Sequence, residues 1–136
     1  MIPPGFNYAV IGGDISNNLL IIDIDHVDDE SLIEKIIPNA LNETLVVRTG
    51  GGGYHIYLFL ESGGCKSFKF DNAGVHYDIQ CEGKIAVGPG SIHESGNEYK
   101  IISNTKFIKT ITNAKLKENL SILYDTRTIG LEEGLK

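Results

Sequence analysis

The chain lacks several features that would assign it to a special class of protein. It has no tryptophan and only two cysteines, Cys65 and Cys81, which lie 16 residues apart without a CxxC pair. We therefore expect two reduced thiols rather than a disulfide or a zinc site. Apolar runs are only strand-sized, and the N-terminus has neither a basic n-region nor an apolar h-region. The sequence thus predicts a cytoplasmic protein that makes no membrane contact.

Basic residues are also scarce. The chain has 12 Lys and Arg against 18 Asp and Glu, a net charge of −6, which argues against a generic nucleic-acid binder. Between Asp14 and Glu43 there are eight acids and a single basic residue, Lys35. From Lys100 to Lys117 there are five lysines and no acid. This second stretch is either a local patch that faces anions or an ordinary solvated surface.

The composition and the hydrophobic pattern predict one globular α+β core. The chain has 136 residues, of which 41% are hydrophobic and 22% charged. We expect a mixed, mainly antiparallel sheet with few helices, and the first two strands as a hairpin-like pair. Residues 1–110 are predicted to form the core and residues 111–136 a helical extension or tail. The predicted strands are 6–11, 19–25, 45–48, 54–60, 75–80, 85–87 and 98–102. One helix is predicted after Asp28 and ends at Pro38, and a second is predicted over 113–124.

The most informative stretch is the strand Leu19–Asp25, in which four apolar residues lead into two carboxylates. Alternate side chains of a strand share a face, so Asp23 and Asp25 project together at its end. Because like charges repel, such a pair needs a cation or a basic partner, and a hard divalent ion is the simplest candidate. A solvated turn after the strand is the alternative.

A second polar segment runs from Arg48 through four glycines to His55. Glycines allow a ligand close to the backbone, and consecutive peptide N–H groups suit phosphate oxygens. The segment is not a Walker loop, since GxxxxGK[ST] is absent. A flexible hairpin connection would explain the glycines equally well, and His55 alone would be read as a core histidine.

A third polar position is Asp78, which lies inside a strand that is otherwise apolar. An ionised carboxylate is expensive to bury unless it is paired or bound to a metal. Asp78 therefore has a basic partner, lies at an exposed sheet edge, or binds a cation.

Together these segments resemble the primase-polymerase (Prim-Pol) domain of the archaeo-eukaryotic primase superfamily, found in archaeal plasmid, viral and phage replication proteins. The resemblance covers roughly residues 6 to 102. Its motifs are a DhD motif at Ile22-Asp23-Ile24-Asp25, a glycine turn leading into a histidine strand at Thr49–Tyr57, a third acid at Asp78, and a PPSxHxxGxxY-like stretch at Pro89–Tyr99. Gly53 stands where many members have serine, and Gly90 replaces one of two prolines.

The resemblance implies a metal-dependent nucleotidyltransferase core related to the RNA-recognition-motif fold. Asp23, Asp25 and Asp78 would hold Mg²⁺ or Mn²⁺ and serve as the catalytic residues. The expected nucleotide-binding residues are Arg48, Gly51, Gly52, Gly53, His55, Ser91 and His93.

The resemblance also implies partners and alternatives. The partners would be nucleoside triphosphates, a DNA template-primer, and a helicase or second replication subunit. Since family domains usually begin several tens of residues further upstream, we expect a minimal core, a truncated relative or one piece of a larger assembly. A non-catalytic nucleotide-binding or interaction module is one alternative, and a metal-dependent nuclease or phosphatase is a weaker one.

Overall fold

The computed structural model describes residues 7–123. The regular elements in this range form a mainly antiparallel sheet with three short helices, which confirms the α+β prediction. The elements are β1 (Ala9–Ile11), β2 (Leu19–Asp25), α1 (Ser31–Ile36), α2 (Ala40–Glu43), β3 (Val46–Arg48), β4 (Tyr54–Leu60), β5 (Phe68–Asn72), β6 (Val75–Gln80), β7 (Ile85–Val87), β8 (Lys100–Ile101), β9 (Lys109–Ile111) and α3 (Asn113–Leu120).

Strand β2 lies inside the main sheet, where it is hydrogen-bonded along both edges. It pairs antiparallel with β4 on one side and with β6 on the other, in the order β5-β6-β2-β4-β3-β8. Its four leading residues, Leu19 to Ile22, are all buried, which explains why this run is apolar on both faces. Strands β3 and β9 share the second edge of β4, β3 pairing antiparallel with its first half and β9 parallel with its second half.

The two faces of the sheet are covered differently. One face packs against the helices, and this main core includes Leu20, Ile22, Ile24, Ile33, Ile36, Leu116 and Leu120. The opposite face carries a smaller apolar cluster of Leu19, Ile21, Leu45, Val47, Tyr57, Ala86 and Tyr99. Asp23 and Asp25 continue along this second face, so the carboxylates emerge where its apolar cover ends.

The predicted hairpin of the first two strands is wrong. Strand β1 pairs antiparallel with β7 in a separate two-stranded sheet, and only an isolated bridge, Gly13 to Leu19, connects the turn after β1 to β2. The reason is burial, because Val10 and Ala86 of this small sheet pack onto the smaller apolar cluster. The small sheet therefore covers the start of β2, whereas Asp23 and Asp25 at its end are partly buried.

The first predicted helix is confirmed as α1, which ends at Ile36, just before Pro38. A carboxylate oxygen of Asp29 accepts hydrogen bonds from the backbone N–H and the hydroxyl of Ser31, at 3.0 and 2.6 Å, and so stabilises the start of the helix. The pattern did not predict α2, β5 or β9. None of the helices in residues 7–123 is long and apolar enough to span a bilayer.

The predicted C-terminal helix is present as α3. The hydroxyl of Thr112 accepts a hydrogen bond from the N–H of Lys115 at 3.0 Å, which caps the helix. Leu116 and Leu120 are fully buried in the main core. The division of the chain at residue 110 stays a prediction. Phe6, residue 124 and the weakly patterned residues 126–136 lie outside the described residues.

The expectation of two reduced cysteines is wrong, because Cys65 and Cys81 form a disulfide. Cys65 lies in the loop before β5, and Cys81 directly follows β6. The antiparallel pairing of β5 with β6 brings these positions to a Cα–Cα distance of 6.0 Å, which suits a disulfide. The sequence spacing alone did not reveal this, since it depends on the hairpin between the two residues.

Reduction of this disulfide is expected to lower the free energy of unfolding by about 3 kcal/mol, the typical value for a closed loop of this length. Urea unfolding with and without a thiol reductant measures the change. The Cys65→Ser, Cys81→Ser double variant should show the lower stability and no response to the reductant. Equal unfolding midpoints for the native chain in both conditions would contradict the prediction.

Candidate active site

The register of the sheet places three of the predicted site residues side by side. Asp23 on β2 lies directly opposite Asp78 on β6 and His55 on β4. Residues that are directly opposite in antiparallel strands point to the same face, with Cβ atoms about 4.5–5.5 Å apart. The His55 Nε2 atom lies 3.4 Å from the Asp23 Oδ1 atom. Residues far apart in the sequence thus form one polar row across three strands.

A second row lies next to the first, towards the end of β2. Here Asp25 is opposite His76 of β6, and His76 is opposite Asp71 of β5. The His76 Nδ1 atom lies 2.7 Å from the Asp71 Oδ1 atom. We call these two rows, Asp23, Asp25, His55, Asp71, His76 and Asp78, the polar face.

Several polar atoms on and beside the polar face are buried without a hydrogen-bond partner. They are His55 Nδ1, Tyr57 OH, Asp78 Oδ1 and Gln80 Oε1. Gln80 donates a hydrogen bond from Nε2 to the Asp78 Oδ2 atom at 3.2 Å, so the second oxygen of this carboxylate remains free. Each unpaired buried polar atom lowers the stability of the folded state by about 1–3 kcal/mol. Several such atoms on one face of the sheet therefore favour the binding of a polar ligand there.

The glycine loop lies against the end of β2. Its N–H groups at Gly52 and Gly53 both donate to Thr49, so the loop is a closed turn. A Cβ atom added to Gly53 would lie 2.0 Å from the carbonyl oxygen of Ile24. The His26 Nδ1 atom lies 3.2 Å from the carbonyl oxygen of Gly51. The loop is therefore held within contact of the strand that carries both aspartates.

A second loop, residues 91–97, lies on the other side of the glycines. The Ser95 hydroxyl donates to the carbonyl oxygen of Gly50 at 3.1 Å and lies 2.9 Å from His93 Nδ1. The Nε2 atom of His93 would be 3.4 Å from a Cβ atom at Gly51. The structure thus brings the predicted residues Gly51 and His93 together.

Tyr99 connects this loop to the polar face. Its ring centroid lies 6.2 Å from those of both His55 and His93. Burial raises the pKa of the Tyr99 hydroxyl, and the negative charges of Asp23 and Asp25 raise it further. Tyr99 therefore stays protonated and can donate a hydrogen bond beside the two carboxylates.

The carboxylates are close to one another without being arranged around a common centre. Among residues 7–123, no group of three or more His, Cys, Asp or Glu side chains is placed to hold a metal ion. Asp23 is turned towards His55, and Asp78 is turned towards Gln80. A shared ion would require these side chains to turn towards each other.

The comparison with known families gives one match that covers most of the chain. The family model for Prim-Pol, described as bifunctional DNA primase/polymerase, N-terminal, matches residues 2–117. The chain belongs to the Prim-Pol family. Membership indicates a DNA primase/polymerase-like function with nucleotide and DNA substrates in general. No curated protein matches the chain.

One predicted residue of this Prim-Pol domain, Arg48, lies on the other face of the sheet. Its guanidinium donates to the carbonyl oxygen of Val27 at 2.9 Å and lies 4.7 Å from the ring centroid of Tyr54. Val47 is opposite His55 in the pairing of β3 with β4, so these two residues share a face. Arg48 is the next residue along the strand and therefore points to the other face. Arg48 also lines a pocket of about 250 Å³ with Gly50, Gly52 and Lys100. Its predicted contact with nucleotide therefore stays a prediction.

Ser91 is a second predicted residue that the structure does not bring to the polar face of the Prim-Pol domain. It is fully buried, and its hydroxyl oxygen accepts a hydrogen bond from the backbone N–H of Tyr8 at 3.2 Å. In this structure Ser91 therefore stabilises the contact between the start of β1 and the loop after β7.

The sequence reasoning missed His26, His76, Gln80 and Tyr99. Strand parity with Asp78 places His76 and Gln80 on the same face, which was readable from the sequence. His26 follows Asp25 with a left-handed backbone, φ 46°, which no local pattern predicted. Tyr99 reaches the polar face through the loop contacts of residues 91–97, which also depend on the tertiary fold.

Proposed function

We propose that this Prim-Pol domain is a divalent-metal-dependent nucleotidyltransferase that acts on nucleoside triphosphates and a DNA template-primer. One observation carries the proposal, namely the cross-strand row that joins Asp78, Asp23 and His55 beside the glycine loop. Phosphoryl transfer depends mainly on positioning and on neutralisation of charge, and this row has the residue types that supply both.

Asp23, Asp25 and Asp78 would hold Mg²⁺ or Mn²⁺. The donor chemistry fits, because carboxylate oxygens are the ligands that these hard ions prefer, and the buried Oδ1 atom of Asp78 has no partner. When bound, such ions polarise phosphoryl oxygens and lower the pKa of an attacking hydroxyl. A bound cation would also relieve the repulsion between Asp23 and Asp78, which are directly opposite each other in the register of β2 and β6.

The chain's own residues would hold the nucleotide beside these carboxylates. The rings of His55 and His93 both lie 6.2 Å from the ring of Tyr99, centroid to centroid, and Gly51 adjoins His93. Imidazole N–H groups and a close backbone can contact phosphate oxygens while the carboxylates face the cations. A helicase or second replication subunit as a partner stays an expectation from the family.

The proposal predicts that Mn²⁺ with a nucleoside triphosphate raises the melting temperature of the native chain. A ligand at 100 times its dissociation constant stabilises a protein by about 2.7 kcal/mol, which is a shift of several degrees. The double variant Asp23→Asn, Asp25→Asn should lose the shift, because it lacks two of the proposed metal ligands. Thermal unfolding of both proteins measures this.

The matched control is Glu61→Gln with Glu118→Gln, which removes two exposed carboxylates elsewhere. This variant should keep the full shift, so that net charge alone does not explain the loss. Equal stabilisation of the native chain and of the Asp23, Asp25 variant would overturn the assignment of the metal site.

A further inference from the structure

We infer that Arg48 and Lys100 form a phosphate-binding subsite beside the glycine loop, on the face of the sheet opposite the polar face. The inference rests on the proposed function only for the source of the phosphate, which is a DNA strand or a nucleoside triphosphate. It goes beyond that function, because it assigns a contact away from the carboxylates.

The pairing of β3 with β8 places two positive charges side by side. Arg48 is directly opposite Lys100 in this antiparallel pair, so the two side chains share a face, with Cβ atoms about 4.5–5.5 Å apart. Like charges directly opposite each other destabilise a sheet, and a bound anion would remove the repulsion. An anion is therefore the ligand that this pair favours.

The existing partners of the two cations leave most of their charge available. Arg48 donates a hydrogen bond to the carbonyl oxygen of Val27 and lies 3.6 Å from Asp28, whose side chain is 91% exposed. An ion pair with so exposed a carboxylate contributes little, and a guanidinium has five N–H donors. Lys100 is exposed, and it forms no ion pair or side-chain hydrogen bond within residues 7–123.

This availability distinguishes Lys100 from other lysines of the basic stretch 100–117. Lys109 forms an ion pair with Glu43. Lys115 forms one with Glu118, three residues further along α3. The stretch is therefore not a uniform anion-facing patch, and its charge is unpaired at the residue that lies opposite Arg48.

Both cations line one pocket of about 250 Å³. Its lining also contains Thr49, Gly50, Gly52, Asn97 and Glu98. The carboxamide of Asn97 has no hydrogen-bond partner among the described residues, and both it and the Thr49 hydroxyl can donate to a phosphate oxygen. The one acid in this set, Glu98, is exposed and forms no ion pair with Lys100. Two cations and two neutral donors together suit a phosphate group.

The test measures how the full chain binds a labelled single strand of oligothymidylate, by fluorescence anisotropy over a range of salt concentrations. EDTA is present, so that no divalent metal contributes. Each phosphate contact with a single strand contributes a slope of about −0.7 to log affinity against log salt. Lys100→Gln should therefore make the slope shallower by about 0.7, which is a loss of affinity of about fivefold at about 0.1 M salt.

Lys100→Gln is the safest variant, because this side chain is exposed and its loss removes a repulsion. Its urea unfolding midpoint should equal that of the native chain or be slightly higher. Arg48→Gln should change the slope by a similar amount, and urea unfolding shows whether losing the bond to Val27 also lowers its stability. The matched control, Lys84→Gln with Lys115→Gln, removes two positive charges outside the pocket and should keep the slope and the affinity.

Competition by deoxythymidine triphosphate, again in EDTA, identifies the source of the phosphate. We expect Lys100→Gln to weaken binding of the strand and to leave the triphosphate affinity unchanged, which assigns the subsite to the DNA backbone. A loss of triphosphate affinity, alone or together with that of the strand, assigns it to nucleotide phosphates. If Lys100→Gln changes neither, or if the native chain binds neither probe, the inference is overturned. The Mn²⁺-dependent shift in melting temperature is measured separately, so its absence would defeat the metal site and leave this subsite standing.

Discussion

Replacing Asp78 with asparagine is expected to lower primer extension by about a thousandfold while leaving the fold intact. Loss of one carboxylate from a metal site removes several kcal/mol of transition-state stabilisation, and each 1.36 kcal/mol is a factor of ten in rate. Stability should stay equal or rise slightly, because the substitution removes a charge from the position opposite Asp23 on the neighbouring strand. Extension of a labelled primer with Mn²⁺, together with urea unfolding, measures both effects.

The control for this variant is Glu61→Gln, which removes an exposed carboxylate in the loop after β4 and should keep full activity. Undiminished extension by Asp78→Asn would remove this residue from the catalytic assignment. If the native chain binds nucleotide and Mn²⁺ but makes no extended product, the chain is a non-catalytic module. Shortening of the primer instead would indicate a nuclease.

Replacing Gly53 with alanine is expected to destabilise the folded chain by about 2–4 kcal/mol. The new Cβ atom would lie 2.0 Å from the carbonyl oxygen of Ile24 and 3.1 Å from the backbone nitrogen of His26. Backbone atoms cannot rotate away as a side chain can, so either β2 or the loop must move. Gly53→Ser, which restores the residue of many family members, meets the same obstacle. Chemical unfolding measures the loss.

Gly51→Ala is the matched control in the same loop. Its Cβ atom would meet only the ring of His93, at 3.4 Å from Nε2, which is an ordinary contact. The free energy of unfolding should therefore change by less than about 1 kcal/mol. Equal losses for the two variants would show that the loop does not depend on its contact with β2.

The strands that carry the site were predictable, because their local patterns agree with their environment. β2 and β4 are buried on both faces and read as nearly continuous apolar runs, which is what central strands require. The pair Asp23 and Asp25 interrupts such a run, and the exception marked the site.

What the sequence did not predict depends on which strands meet. The pairing of β1 with β7 and the approach of Cys65 to Cys81 both require contacts between distant segments. The register that sets Asp23 opposite both Asp78 and His55 is of the same kind. Arg48 was assigned by its closeness to the glycines in sequence, although one step along a strand turns a side chain to the other face.

The contact between the glycine loop and the end of β2 has a thermodynamic consequence. Gly53 touches the carbonyl of Ile24, and this residue lies between the two aspartates. A nucleotide that orders the loop would therefore also order the strand segment of the proposed cation site, and a cation would likewise order the loop. Binding of the nucleotide and of the cation should therefore be cooperative. Each ligand should raise the affinity of the other by the same factor, as thermodynamic linkage requires.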